Sequence, residues 1–137
     1  MAPFGARSEV TGPEYLLDTN CCIYLLSRTR PVLEAKIARC PSESVGISAI
    51  VGAELVLGFS DASSKLKAML ERFLREFPVQ PFDEKAARAY AQVPFRRGKL
   101  DRLVAAHALS LDATLITNNV RDFADVPGLK LQNWTQN

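Results

Sequence analysis

Three of the fifteen acidic residues in this chain stand where a carboxylate has no ordinary structural use. Glu54 is set among Ile50, Val51, Ala53, Leu55, Val56 and Leu57, and a helix apolar on nearly every face is normally buried. A buried carboxylate is costly, so Glu54 needs a cation, a hydrogen bond or a proton. Asp18 directly follows the apolar run Tyr15-Leu16-Leu17, and Asp101 heads the apolar segment Leu103-Val104-Ala105-Ala106. Taken singly, Glu54 reads as half of a buried salt bridge and Asp101 as a helix cap. Taken together, the three suggest converging like charges that resist ionising side by side unless a divalent cation joins them. An all-oxygen donor set favours Mg²⁺ or Mn²⁺ over zinc, and no His or Cys falls at ligand spacing.

Other polar residues have plainer uses. Glu34, Glu71, Glu76 and Glu84 fall on polar helix faces, and Asp83 reads as a cap. His107, the sole histidine, lies among alanines six positions after Asp101 and so on a different helix face; it reads as a packing or hydrogen-bonding residue. Cys21, Cys22 and Cys40 are an odd set with two adjacent members, which suggests free thiols rather than a disulfide framework or a CxxC zinc site. The net charge of +2 says little about nucleic acid, because a basic footprint depends on clustering. Clustering is present: Arg96, Arg97, Lys99 and Arg102 flank Asp101 and are candidate phosphate contacts, against the plainer reading of a solvated loop.

Positioning these groups falls to short strands alternating with helices. Strands are predicted at 15–17, 45–47, 79–82, 114–117 and 129–131, with helices near 21–27, 31–40, 49–59, 63–77, 84–93 and 101–111. Within 63–77 the spacing of Leu66, Met69, Leu70, Phe73, Leu74 and Phe77 marks one inward face. Alternation of this kind implies a mostly parallel sheet covered on both faces, an α/β/α sandwich whose site forms at the strands' carboxyl ends. A single domain over 15–137 is expected, preceded by a loose arm, 1–14, that holds Pro3, Gly5, Gly12 and Pro13 without apolar periodicity. No apolar run is long enough to span a bilayer or serve as a signal peptide, and a cytoplasmic protein is expected.

Four ordered motifs resemble those of PIN domains, specifically VapC-type toxin ribonucleases of type II toxin–antitoxin systems. They are Leu16-Leu17-Asp18-Thr19-Asn20; Ile47-Ser48-Ala49-Ile50 through Ala53-Glu54-Leu55 with Gly58; Asp101 to Ala108; and Thr117 to Phe123. Pro127-Gly128-Leu129 with Trp134 resembles the family's ending, so the likeness runs from Tyr15 to Trp134. It implies a PIN-like fold and an endoribonuclease that hydrolyses RNA phosphodiester bonds, in tRNA or another structured RNA, with Mg²⁺ or Mn²⁺. Asp18 and Asp101 would be direct metal ligands, and Glu54 a ligand directly or through water. Asn119 stands where many members have an acid, and Asp122 is the alternative source of the fourth charge. Thr19, Asn20 and Ser48, with Asn119, would orient the carboxylates and water, unless Thr19 and Ser48 serve only to cap their helices. With Asp18, Glu54, Asp101 and Asp122 ionised, one Mg²⁺ neutralises half the charge, which leaves one or two metals open.

The resemblance further implies a cognate VapB-like antitoxin, a homodimer or a higher toxin–antitoxin assembly, and apolar patches near Cys21–Leu26 and Val56–Phe59 for antitoxin binding. Pro94 to Leu100 is several residues shorter than in most members, so the helix before Asp101 should be truncated. Two other readings of an Asp after the first strand fail. A haloacid-dehalogenase-like phosphatase needs a second Asp where this chain has Asn20, and a receiver-type phosphoacceptor needs paired acids and a later lysine. The remaining rival is a PIN fold kept for dimerisation and partner binding without turnover.

Overall fold

A computed structural model describes residues 12–136. Five parallel strands form its sheet: β1 (Tyr15–Leu17), β2 (Val45–Ser48), β3 (Val79–Gln80), β4 (Thr114–Ile116) and β5 (Lys130–Gln132), in the order β3-β2-β1-β4-β5. Parallel neighbours need crossovers, which are supplied by α1 (Thr19–Ser27), α2 (Pro31–Ala38), α3 (Ala49–Gly58), α4 (Ser64–Glu76), α5 (Glu84–Ala89) and α6 (Asp101–Leu111). The sheet is therefore flanked by helices, as the alternation of the sequence predicts.

Junctions between strand and helix are tight because a residue at the strand's carboxyl end caps the next helix. Asp18 accepts from Cys21 N (2.8 Å) and Ser48 from Ile50 N (3.0 Å), so β1 runs into α1 and β2 into α3 without a loop. Ser63 and Asp83 cap α4 and α5 in the same way. Helix α1 thus starts at Thr19 rather than Cys21. Register also matters: Leu17 pairs with Ile116, which makes Asp18 and Thr117 neighbours at the carboxyl edge of the sheet.

Several boundaries differ from expectation for local reasons. β3 stops at Gln80 because Pro81 offers no N–H to continue the ladder. α5 is six residues long and passes into a 3-10 turn, Tyr90–Gln92, before Pro94. On α4, Leu70 and Phe73 are buried while Leu66 is 43% exposed, since the first turns of the helix overhang the core. The largest departure is α3. Although apolar all round, it buries Val51 and Leu55 but leaves Val56 and Leu57 53% and 75% exposed, and Glu54 is half-buried. Residues 1–11 of the expected arm lie outside the described residues. At its described end Pro13 is buried and Glu14 extends the β1 pairing, its N–H to Ser44 O (2.9 Å) and its carbonyl accepting from Thr114 N (2.9 Å). No helix among the described residues is long and apolar enough to cross a membrane.

His107 ties two carboxylate-bearing helices together. Its ring is buried in α6, with Nδ1 2.8 Å from Ser48 Oγ at the head of α3 and its edge against Phe82. Burial pushes its pKa below the ordinary 6.5, against the opposing pull of Asp83 and the Pro81 carbonyl. The unfolded chain therefore binds this proton more readily than the folded one, and stability falls as pH drops through about 6.5 toward the folded value. His107→Gln should flatten that part of the pH dependence, read as the change in urea midpoint between about pH 5 and 7.5. At Gly46 in β2, an added Cβ would sit 2.9 Å from the Pro78 carbonyl oxygen and 3.1 Å from Pro13 Cγ. Gly46→Ala should cost about 1–3 kcal/mol of folding stability by overpacking, seen as a lower thermal midpoint.

Candidate active site

At the carboxyl edge of the sheet lies a cavity of about 220 Å³. It is lined by Asp18, Glu54, Asp101 and Asp122, together with Thr19, Asn20, Thr117 and Asn119, and the apolar wall is Val104 and Phe123. Each acid arrives on a different element. Asp18 sits at the β1–α1 junction, Glu54 lies midway along α3, Asp101 is the first residue of α6, and Asp122 is on a 3-10 turn, Val120–Phe123. Asp101 is also well placed for charge, because a helix start favours an anion.

Neutral donors hold three of the four acids. Cys21 N donates to Asp18 Oδ1 (2.8 Å), Thr19 Oγ1 to Glu54 Oε1 (2.6 Å), and Asn119 Nδ2 to Asp122 Oδ2 (2.7 Å). Thr117 Oγ1 in turn accepts from Asn119 N (3.0 Å), which fixes the turn that presents Asn119. Asn119 and Asp122, the two candidates for the fourth position, are thus bonded to each other at the cavity. Asp101 differs, for its Oδ1 is buried without a hydrogen-bond partner among the described residues. Leaving a carboxylate oxygen so placed is expensive, and among the described residues no basic side chain lines the cavity to compensate.

The donor set suits a hard divalent cation: four carboxylates about one cavity, one with a buried oxygen lacking a partner. As they stand, no three His, Cys, Asp or Glu side chains among the described residues are close enough to hold an ion, so binding would have to draw the acids inward. Nearby thiols offer no alternative chemistry. Cys21 and Cys22 are buried free thiols whose pKa values are pushed up by burial and by the charge of Asp18, so neither is a ready nucleophile or soft ligand.

Ser48 is fully buried behind the cavity's lining, where it caps α3 and meets His107, the capping use that the sequence also allows. One expectation needs correction. Arg102 is not a phosphate contact: it is 1% exposed, and its Nη2 donates to Asp125 Oδ1 (2.9 Å) and to the Asp122 carbonyl (2.8 Å). Helix periodicity could have revealed this, since Arg102 falls on the same face of α6 as the buried Ala105 and Ala106. Arg96 stays half-exposed but is engaged, its Nη2 3.1 Å from Asp125 Oδ2, while Arg97 and Lys99 are exposed. Asp125 was not singled out from sequence, because a lone acid in a loop carries no pattern. Its carboxyl is held below the usual range, first by the Arg102 hydrogen bond and then by the charges of Arg102 and Arg96.

Comparison with known proteins gives this geometry a family. The PIN domain family model matches residues 15–129. Ribonuclease VapC2 of Rickettsia felis is 32% identical over 130 residues, spanning 88% of this chain and 97% of that protein. The tRNA(fMet)-specific endonuclease VapC of Salmonella typhimurium is 28% identical, spanning 88% and 98%. Among solved structures, VapBC2 from Rickettsia felis bound to a DNA fragment from its promoter contains a chain that superposes with a TM-score of 0.75 at 30% identity, covering 88% of this chain and 98% of that one. The chain belongs to the PIN-domain family, and within it to the VapC ribonuclease toxins.

Proposed function

We propose that this chain cuts RNA as a metal-dependent endoribonuclease, with Mg²⁺ or Mn²⁺ held by Asp18, Asp101, Glu54 and Asp122. The observation that carries the reading is the Oδ1 of Asp101, buried without a hydrogen-bond partner among the described residues, on an acid that lines one cavity with three more. A bound divalent cation lowers the pKa of water and offsets the charge that builds on a phosphate under attack. The protein's part is to hold the acids in place and to bring the RNA near. Thr19 keeps Glu54 turned toward Asp18's helix, and Asn119 keeps Asp122 at the rim. Val104 and Phe123 give one side of the cavity a dry wall, which strengthens the electrostatics within it.

RNA must approach an acidic cavity, so cations beside it have to offset repulsion. Arg97 and Lys99 supply them from the exposed segment 94–100 that leads into Asp101, with Arg96 half-exposed behind its bond to Asp125. Phe95 in the same segment is 70% exposed, and an aromatic ring among basic residues suits an unstacked base. The name of the Salmonella relative makes an initiator tRNA the first substrate to try, and we place the reaction in the cytoplasm, where such RNA is found.

An antitoxin belongs to the same reading, because related chains crystallised as VapBC complexes. An apolar groove of about 560 Å³ along α3, bounded by Gly52, Val56, Leu57, Leu74 and Val79, suits the apolar face of an antitoxin helix. This keeps the patch expected at Val56–Phe59. The one expected at Cys21–Leu26 shrinks, since Cys21 and Cys22 are buried and Ile23 is the most exposed apolar side chain there. A homodimer is part of the proposal as the family's assembly.

With antitoxin removed, purified protein should cut transfer RNA with Mg²⁺ or Mn²⁺ and stop in EDTA. Asp18→Asn and Asp101→Asn, each shown to be folded, should lower the rate by more than about a hundredfold, since even residues behind metal ligands are worth 10- to 100-fold. Undiminished cutting in both variants would place the site elsewhere. Arg97→Ala with Lys99→Ala should weaken RNA binding and reduce the slope of log affinity against log salt by roughly 0.7 for each cation lost. Filter binding across a salt series reads this directly.

A further inference from the structure

Asp122 differs from the other three acids of the cavity in what carries it. A four-residue 3-10 turn is a weak platform, and this one lies between a loop and the chain's last strand. Its fixation comes from α6. Arg102, next in sequence to Asp101, reaches across with Nη2 to bind the backbone carbonyl of Asp122 at 2.8 Å and Asp125 Oδ1 at 2.9 Å, just beyond the turn. The second oxygen of Asp125 receives Arg96 at 3.1 Å.

We propose that Arg102 and Asp125 are positioning residues of the acidic site, a clamp by which the helix that begins with Asp101 holds the turn that carries Asp122. The clamp's role at the turn stands on the geometry alone; its consequence for metal rests on the nuclease reading. Burial of the guanidinium favours a positioning role over simple packing. Among the described residues its Nε and Nη1 are buried with no partner, so the directional bonding seen there falls on Nη2. An apolar side chain of similar length would fill the space without stranding two nitrogens, and such replacements of buried ion pairs are often neutral or stabilising. What the apolar substitute could not do is bind the Asp122 carbonyl and Asp125 together. Two acids that repel across one cavity need such a restraint, because otherwise the weaker platform swings away. Asp125 also connects the site to the RNA side, since Arg96 belongs to the exposed segment that carries Arg97 and Lys99.

The test uses Arg102→Met with Asp125→Asn, a pair chosen to keep the buried volume, alongside Asp125→Asn alone in case the double variant folds poorly. Amide hydrogen exchange reads the turn through Asp122 N, Ala124 N and Val126 N, which are bonded to Asn119, Arg121 and Phe123 carbonyls. Exchange there should quicken by about tenfold or more while β1 and β4 amides keep parental rates, as expected for a local opening. Calorimetric titration with Mn²⁺ alone should show affinity weaker by about 10- to 100-fold. A folded variant with parental exchange in the turn overturns the proposal, and so does one whose turn is freed while Mn²⁺ affinity stays within twofold of the parent. If the parent itself takes no Mn²⁺ yet the variant frees the turn, the metal reading fails and the clamp is upheld.

Discussion

Four carboxylates around one small cavity repel one another, and much of the local structure can be understood as what keeps them there. Each comes from a separate element, so no single helix has to carry adjacent like charges. Cys21 N, Thr19 Oγ1 and Asn119 Nδ2 each satisfy one oxygen of an acid without contributing a full charge. A lysine or arginine in their place would have relieved the repulsion more fully, and would also have filled the position a divalent cation needs. The basic residues nearby are instead kept outside: Arg102 is turned to Asp125 and the Asp122 carbonyl, and Arg97 and Lys99 face solvent. The result is a cavity lined by four acids and, among the described residues, by no basic side chain.

The parallel sheet makes this arrangement possible at low cost. All strand carboxyl ends lie on one edge, and the β1–β4 register sets Asp18 beside Thr117 there. Caps made at the carboxyl ends of β1 and β2 bring α1 and α3 in without slack. The buried contact between His107 and Ser48 then joins α3 to α6, so that Glu54 and Asp101 are carried by helices tied to each other some distance from the cavity. Val56 and Leu57 are exposed on α3, while Glu54 on the same helix is half-buried.

Much of this was legible in the residues. Strand-then-helix alternation gave the sheet, and Asp18, Glu54 and Asp101 stood out because their surroundings are apolar. Periodicity could not show that α3 leaves half its apolar surface exposed, since an all-round apolar helix looks the same whether buried by its own chain or by another. Arg102 was misplaced because charge runs were read along the sequence, whereas a helix sends neighbouring residues to different faces. Asp125 acquires meaning only from Arg102, 23 residues earlier in the sequence and brought beside it by the fold. For Ser48 the residues allow both a cap and a group that orients the acids, and its contacts show the cap.

The most direct test of the central claim is an anomalous-difference map from crystals grown with Mn²⁺. A peak at coordination distance from Asp101 Oδ1, with Asp18 drawn toward it, is the result this account predicts. A map with Asp101 Oδ1 still bare, or with Mn²⁺ bound only at surface acids outside the cavity, would contradict it.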